Sequence, residues 1–208
     1  MIIECSQYTA DQLYFILIQL VLPRPIAWVL SDNGNGTYNL APFSFFNAIT
    51  SNPPILMISV GWKNDETKKD TWVNISERSH FVVHIPAGAQ VHEVSNSSTV
   101  LPHGASEIDR FGITVENLEG WSLPKVRGAG IAFLCEKYAI HEIGADPQAL
   151  ILGKINCIWI DEEAVSRPNN RIVIDPVKID PLARLGGNHY ALLGEVLTVK
   201  RPDKPEGG

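Results

Sequence analysis

The chain is poor in the features that usually announce a mechanism. Its three cysteines, Cys5, Cys135 and Cys157, form no CxxC pair and no metal-ligand spacing. An odd, widely separated set of thiols fits a reducing, cytoplasmic setting better than a disulfide framework. No stretch is basic, and a net charge of −6 argues against a nucleic-acid partner, because a phosphate backbone has to be neutralised by clustered Lys and Arg. A small phosphate-bearing ligand needs only two or three local cations and stays open. The longest apolar run, Leu13 to Leu22, is broken by Gln19 and closed by Pro23. It is too short to span a bilayer, and no basic segment precedes it as in a signal peptide, so the expectation is no membrane and an amphipathic surface helix.

Several catalytic signatures are missing too. Gly128-Ala129-Gly130 lacks the third glycine of a dinucleotide fingerprint, Phe133 standing in its place, and no βαβ pattern surrounds it. There is no Gly-x-Ser-x-Gly elbow. His80 and His84 have the spacing of a metal pair on a helix, but they fall in an expected strand, where their Cα atoms lie about 13 Å apart. No third ligand completes a set. His92, His103 and His141 stand alone, and Cys135 reads as a core residue.

What is present is a globular balance, with 45% hydrophobic and 19% charged residues in 208, enough for one domain over 1–200 followed by a flexible tail over 201–208. Thr9 or Asp11 caps a helix that runs to about Leu20. Pro25 to Ser31 and Thr37 to Ala41 flank a polar, glycine-containing turn and read as a hairpin. Further strands are expected at Ile55–Val60, Phe81–Ile85, Ile131–His141, Ala149–Ile160 and Glu195–Val199, with a helix from Thr67 to near Ser79. Many short strands and few helices make the fold class mainly β with peripheral helices, an antiparallel barrel rather than a doubly wound sheet.

The densest chemistry lies in Pro23 to Pro54. Asn39, Ser44, Asn47, Thr50 and Ser51 interleave there with Phe43, Phe45 and Phe46, in a segment that reads as irregular between Pro42 and Pro53. A flavin needs flat apolar walls, amide and hydroxyl partners for its pyrimidine edge, and hydroxyls, free N–H groups and a cation for its phosphate. The same residues also suit an ordinary loop with aromatic anchors. Thr67-Lys68-Lys69-Asp70-Thr71, at the start of the expected helix, suits a phosphate or simply a solvated helix start.

The runs Arg24-Pro25-Ile26-Ala27-Trp28-Val29 and Asn39-Leu40-Ala41-Pro42-Phe43-Ser44-Phe45-Phe46-Asn47 resemble the flavin-reductase-like, FMN-binding split-barrel family, in its flavoredoxin-like branch. Lys69-Asp70-Thr71 with Asn74-Ile75, Phe81-Val82-Val83, Leu152-Gly153-Lys154 and Asp180 to Gly187 continue that resemblance in the same order. It implies a mainly β, antiparallel Greek-key split β-barrel of the FMN-binding type, a homodimer with FMN near the subunit interface, and an oxidoreductase with NADH or NADPH as transient co-substrate and a small molecule or protein as electron acceptor. It implies no residue acting as a catalytic acid or base, and no metal. By resemblance Ser44, Phe45, Phe46, Asn47 and Ala48 form the ring's wall and hydrogen-bonding edge, with Asn39 at its start and Thr50 and Ser51 near the polar tail. Lys69 and Thr71 lie on the phosphate side, Arg24 adds a second cation, and His189 with Tyr190 reaches the pocket mouth. Gln148 occupies the neighbourhood where many simpler flavin reductases carry a histidine facing the nicotinamide. That difference leaves open a non-catalytic FMN electron carrier, or a barrel that binds another ligand.

Overall fold

The computed structural model describes residues 1–64, 67–145, 147–200 and 202. The 201–208 tail and Asp146, beside Gln148, therefore lie almost wholly or wholly outside the described residues.

Seven antiparallel strands form the main sheet. In chain order they are β1 (Ala27–Asp32), β2 (Tyr38–Phe43), β3 (Phe46–Ser51), β4 (Pro54–Val60), β5 (His80–Ile85), β6 (Ile131–Ile143) and β7 (Gln148–Ile160). Their spatial order is β2-β1-β5-β6-β7-β4-β3. The two edge strands, β2 and β3, are thus consecutive in the chain, joined only by Ser44 and Phe45. Two residues reach less than about 11 Å even when extended, so the sheet has to curl until its edges nearly meet. It closes into a barrel with one open seam, as the sequence led us to expect.

Both faces of β1 are buried, which is why it reads as a continuous apolar run. Ala27 and Val29 point into one cluster with Phe43, Ile58, Phe81, Val83 and Ile151, plugged by Trp72 and Ile75 from α2 (Asp70–Arg78). Trp28 and Leu30 face the opposite cluster with Leu40, Val82, Val94, Ile108 and Val126. Short helices α3 (Val91–Asn96) and α4 (Glu107–Phe111) cover that side. Gly153 is dictated by the barrel interior: a Cβ there would stand 2.5 Å from Phe81 Cζ, closer than carbon atoms pack.

Helix α1 (Ala10–Leu20) begins in a complete capping box, the Thr9 hydroxyl accepting from the Gln12 N–H and the Gln12 side chain accepting from the Thr9 N–H. That arrangement satisfies donors the helix itself cannot. Only Ile18 of α1 is buried, while Tyr14, Phe15, Leu17 and Leu20 stay exposed.

Four expectations need correction. The stretch between Pro42 and Pro53 is not irregular, because residues 46–51 pair with β4 as an edge strand. The helix expected from Thr67 starts at Asp70, since Thr67 and Lys68 pair with Trp62–Asn64 instead. Glu195–Val199 is not a strand: its β-branched residues suit an extended chain, but among the described residues no sheet edge pairs with them. His141 does not end its strand, which runs on to Ile143.

Candidate functional site

The seam between β2 and β3 combines apolar wall with polar and cationic side chains. A groove of about 490 Å³ is lined by Pro42, Phe43, Ser44 and Phe45, by Tyr14 and Leu17 of α1, and by Trp62, Lys69 and Gln148. That volume lies within the roughly 300–1,000 Å³ of small-molecule sites. Two smaller hollows share Pro42 and Phe43 with it: a recess of about 80 Å³ and a side chamber of about 200 Å³. An outer shelf continues from Ser44 and Phe45 along Phe46, Asn47 and Met57, with Arg24 at its edge.

The recess sits at the start of α2 and is the polar end. Asn39, buried on β2, donates from its amide to Thr71 Oγ1 at 2.8 Å and more weakly to Ser31 at 3.5 Å. Asp70 is buried, with both carboxylate oxygens on Lys63 at 2.9 and 3.0 Å and one also meeting His103 Nδ1 at 2.8 Å. Lys63 is thereby neutralised. Lys69 is not: among the described residues no carboxylate lies within 4.0 Å of it, and its ammonium stands 5.5 Å from the Phe43 ring centre. Desolvation pushes its pKa down, so the site itself does little to stabilise that charge, which an incoming anion would. The helix behind it opens without a side-chain cap, Lys69 itself being the N-cap residue, and a helix start carries positive partial charge.

Glu107 closes the recess. It is buried and accepts the Leu40 N–H at 2.9 Å. Burial pushes its carboxyl pKa up, and that hydrogen bond only partly opposes the shift.

The structure brings together Asn39, Ser44, Phe45, Lys69 and Thr71 along the groove and recess, and Phe46, Asn47 and Arg24 along the shelf. Arg24 is in place, yet its donors are committed: Nη1 to the Ile18 and Val21 carbonyls, Nη2 to the Leu185 carbonyl at 2.9 Å, and Nε to Ser44 Oγ at 3.2 Å. It ties the end of α1 to the seam. Ala48, Thr50 and Ser51 lie exposed on β3 and line none of these hollows, and His189 is exposed with Nδ1 3.1 Å from the Gly186 carbonyl. Its neighbour Tyr190 does line the side chamber. Nothing local in the sequence marks Tyr14, Trp62, Ser98 or Glu107 as wall residues. They arrive from α1, the short strand pair before α2, the residues just after α3 and α4 itself, and only the closed fold brings them to Phe43.

An antiparallel barrel with one open seam, holding an apolar groove with a cationic end, defines a split-barrel protein with a groove of small-ligand size. Comparison with known proteins gives the family: residues 20–182 match the model of the flavin reductase like domain, and the chain belongs to that family. It is 34% identical over 205 residues to the uncharacterized YwrF protein of Bacillus subtilis, covering 97% of this chain and 98% of that one. It superposes with TM-score 0.87 on the nitrilotriacetate monooxygenase component B from Bacillus cereus, at 30% identity over 96% of this chain and 98% of that one. With the 2-nitrobenzoate 2-nitroreductase of Pseudomonas fluorescens the TM-score is 0.85, at 28% identity over the whole of both chains. No described helix is long and apolar enough to cross a membrane.

Proposed function

We propose that the protein is an FMN-dependent oxidoreductase that takes reducing equivalents from NADH or NADPH and passes them to an acceptor, working as a homodimer. The observation that carries this reading is the pairing, in one groove, of an apolar wall at Pro42–Phe45 with the Lys69 ammonium, which has no carboxylate partner among the described residues. The residues fit the cofactor. The groove is large enough, Phe43 and Trp62 give it flat walls, and hydroxyls and a cation mark one end. The names of the two solved structures, a monooxygenase component and a nitroreductase, support redox chemistry.

FMN supplies the hydride-accepting and electron-passing chemistry when bound. The chain's own residues bind and orient. Lys69, Thr71 and the start of α2 hold the phosphate. Asn39 fixes the Thr71 hydroxyl from below. Ser44, Phe45, Phe46 and Asn47 line the ring and its polar edge; Ala48, Thr50, Ser51 and His189, which line none of the hollows, belong to the set on the family resemblance alone. A second subunit is the natural cover for that side: Tyr14, Phe15, Leu17, Leu20, Phe45 and Ile49 expose 40% or more of their surface, a clustering of apolar side chains that marks interfaces.

Purified protein is expected to bind one FMN per chain, and anaerobic NADH or NADPH is expected to bleach it. Bound flavin that neither nucleotide reduces would refute the nicotinamide step. Gln148 supports a second reading, that of an electron carrier without nicotinamide activity. It lines the groove close to Gly61, and a neutral amide gains or loses no proton near pH 7. Fast reduction by a protein donor alone would select that reading.

A further inference from the structure

The side chamber has a chemistry of its own. Its walls are Phe43, Ile26, Tyr14, Ser44, Arg184 and Tyr190, and it opens off the groove at Pro42 and Phe43. At about 200 Å³ it is less than half the groove's 490 Å³, and below the usual range for drug-sized ligands. It suits a single ring or a short chain, not a second flavin.

Among the described residues Arg184 is its only charged wall residue. Its guanidinium carbon lies 4.4 Å from the Tyr190 ring centre, and one Nη2 N–H is spent on the Gly187 carbonyl at 2.6 Å. The ring below it and the carbonyl beside it together restrict the fork's position. Among the described residues no carboxylate lies within 4.0 Å of it. Arg24, its neighbour across the strand pair, adds a second positive charge while its own donors are taken by carbonyls and Ser44. Ser44 Oγ accepts from Arg24, so its own proton is free to turn toward the chamber. A planar, pre-oriented cation beside a hydroxyl donor and aromatic walls is complementary to a planar anion attached to an apolar body.

We propose that this chamber is a carboxylate subsite: the Arg184 fork, held over the Tyr190 ring, takes the carboxylate of a small organic acid whose apolar body lies along Phe43 and Ile26. The inference rests on the flavin reading only for what lies next door, since it makes such an acid the species positioned beside the ring. The binding itself stands on Arg184 and Tyr190.

Calorimetric titration with benzoate, and with benzyl alcohol as its uncharged counterpart, tests it on the protein as purified and again after saturation with FMN. Saturable benzoate binding is expected, with none for the alcohol. Arg184→Gln is expected to weaken benzoate at least about tenfold, the loss of one charge-assisted contact, while FMN affinity stays unchanged. Arg184→Lys, which keeps the charge but not the fork, is expected to recover only part of the loss, and it carries the test if the Gln variant does not fold. Absence of saturable benzoate binding, or equal binding by Arg184→Gln, overturns the proposal. Loss of FMN in Arg184→Gln with benzoate unaffected also overturns it, by assigning the arginine to the flavin phosphate. If FMN fails to bind the wild type while benzoate binds, the flavin reading falls and the subsite stands.

Discussion

The Asn39 side-chain amide donates to Thr71 Oγ1 at 2.8 Å, both residues being almost wholly buried. This one bond ties edge strand β2 to the first turn of α2, and so fixes the distance between the groove's aromatic wall and its cationic end. Thr71→Val keeps the shape and removes the acceptor. It is expected to cost about 1–3 kcal/mol, the penalty of a buried donor left nearly unpaired, read as a lower urea midpoint. FMN affinity is expected to fall in the same variant, measured by quenching of flavin fluorescence.

Lys69 is expected to behave in the opposite sense. Its charge is desolvated and has no carboxylate among the described residues to offset that cost, so Lys69→Met leaves the stability of the FMN-free protein unchanged or raises it. The same change removes a charge-assisted contact of about 1.5–3 kcal/mol to the phosphate, and FMN binding is expected to weaken by at least tenfold. Thermal melts with and without FMN separate the two effects. A variant that is less stable without FMN yet binds it normally would show that Lys69 is only structural.

Arg24 reverses that pattern again. With its fork on the carbonyls that end α1 and on Leu185, Arg24→Lys is expected to lose about 2–4 kcal/mol of stability, as several buried acceptors lose their donors. FMN affinity is expected to change by less than about threefold. Denaturation and flavin titration of the same preparation check both halves.

His84 gives the protein a pH dependence. It is fully buried, its Nδ1–H donating to the Trp28 carbonyl at 2.8 Å and its Nε2 accepting the Val126 N–H at 2.9 Å. This bridge requires the neutral ring. Burial lowers its pKa from 6.5 to about 4, with the nearby Lys125 charge adding to the shift. Above pH 6.5 both states are neutral and the full stability is present. As pH falls below 6.5 the unfolded chain takes the proton first, and stability is lost progressively until the folded pKa near 4 is reached. The shift corresponds to a loss of roughly 3 kcal/mol over that window. In His84→Gln, which can hydrogen-bond but does not titrate, the same stretch of a stability-versus-pH curve is expected to be flatter.

Much of the barrel was legible in the sequence because its signals are local. The Thr9–Gln12 capping box, the turn between β1 and β2, and the apolar runs that became β4 to β7 each mark themselves within a few residues. The failures also have physical causes. Two prolines and three closely spaced phenylalanines made residues 42–53 look irregular, although β4 supplies a ladder that no local pattern reveals. Glu195–Val199 has strand composition, but a strand exists only where an edge is available to pair with it. At the site, the polar residues near Asn39 and Lys69 stood out because their types are unusual together. The commitment of Arg24 to carbonyls was not visible, since it depends on where α1 ends in space. Tyr14 and Glu107 were invisible for the same reason, because folding alone brings them beside Phe43.

The dipeptide Ser44–Phe45 is a hinge pin between the two free margins of an almost closed cylinder. A molecule seated there would meet both margins at once, while the ladder from β1 through β5 and β6 to β7 lies on the opposite side. The aperture can thus be retuned for a bulkier or slimmer guest by substitutions at one short stretch, without disturbing the hydrogen-bonded wall that carries most of the structure.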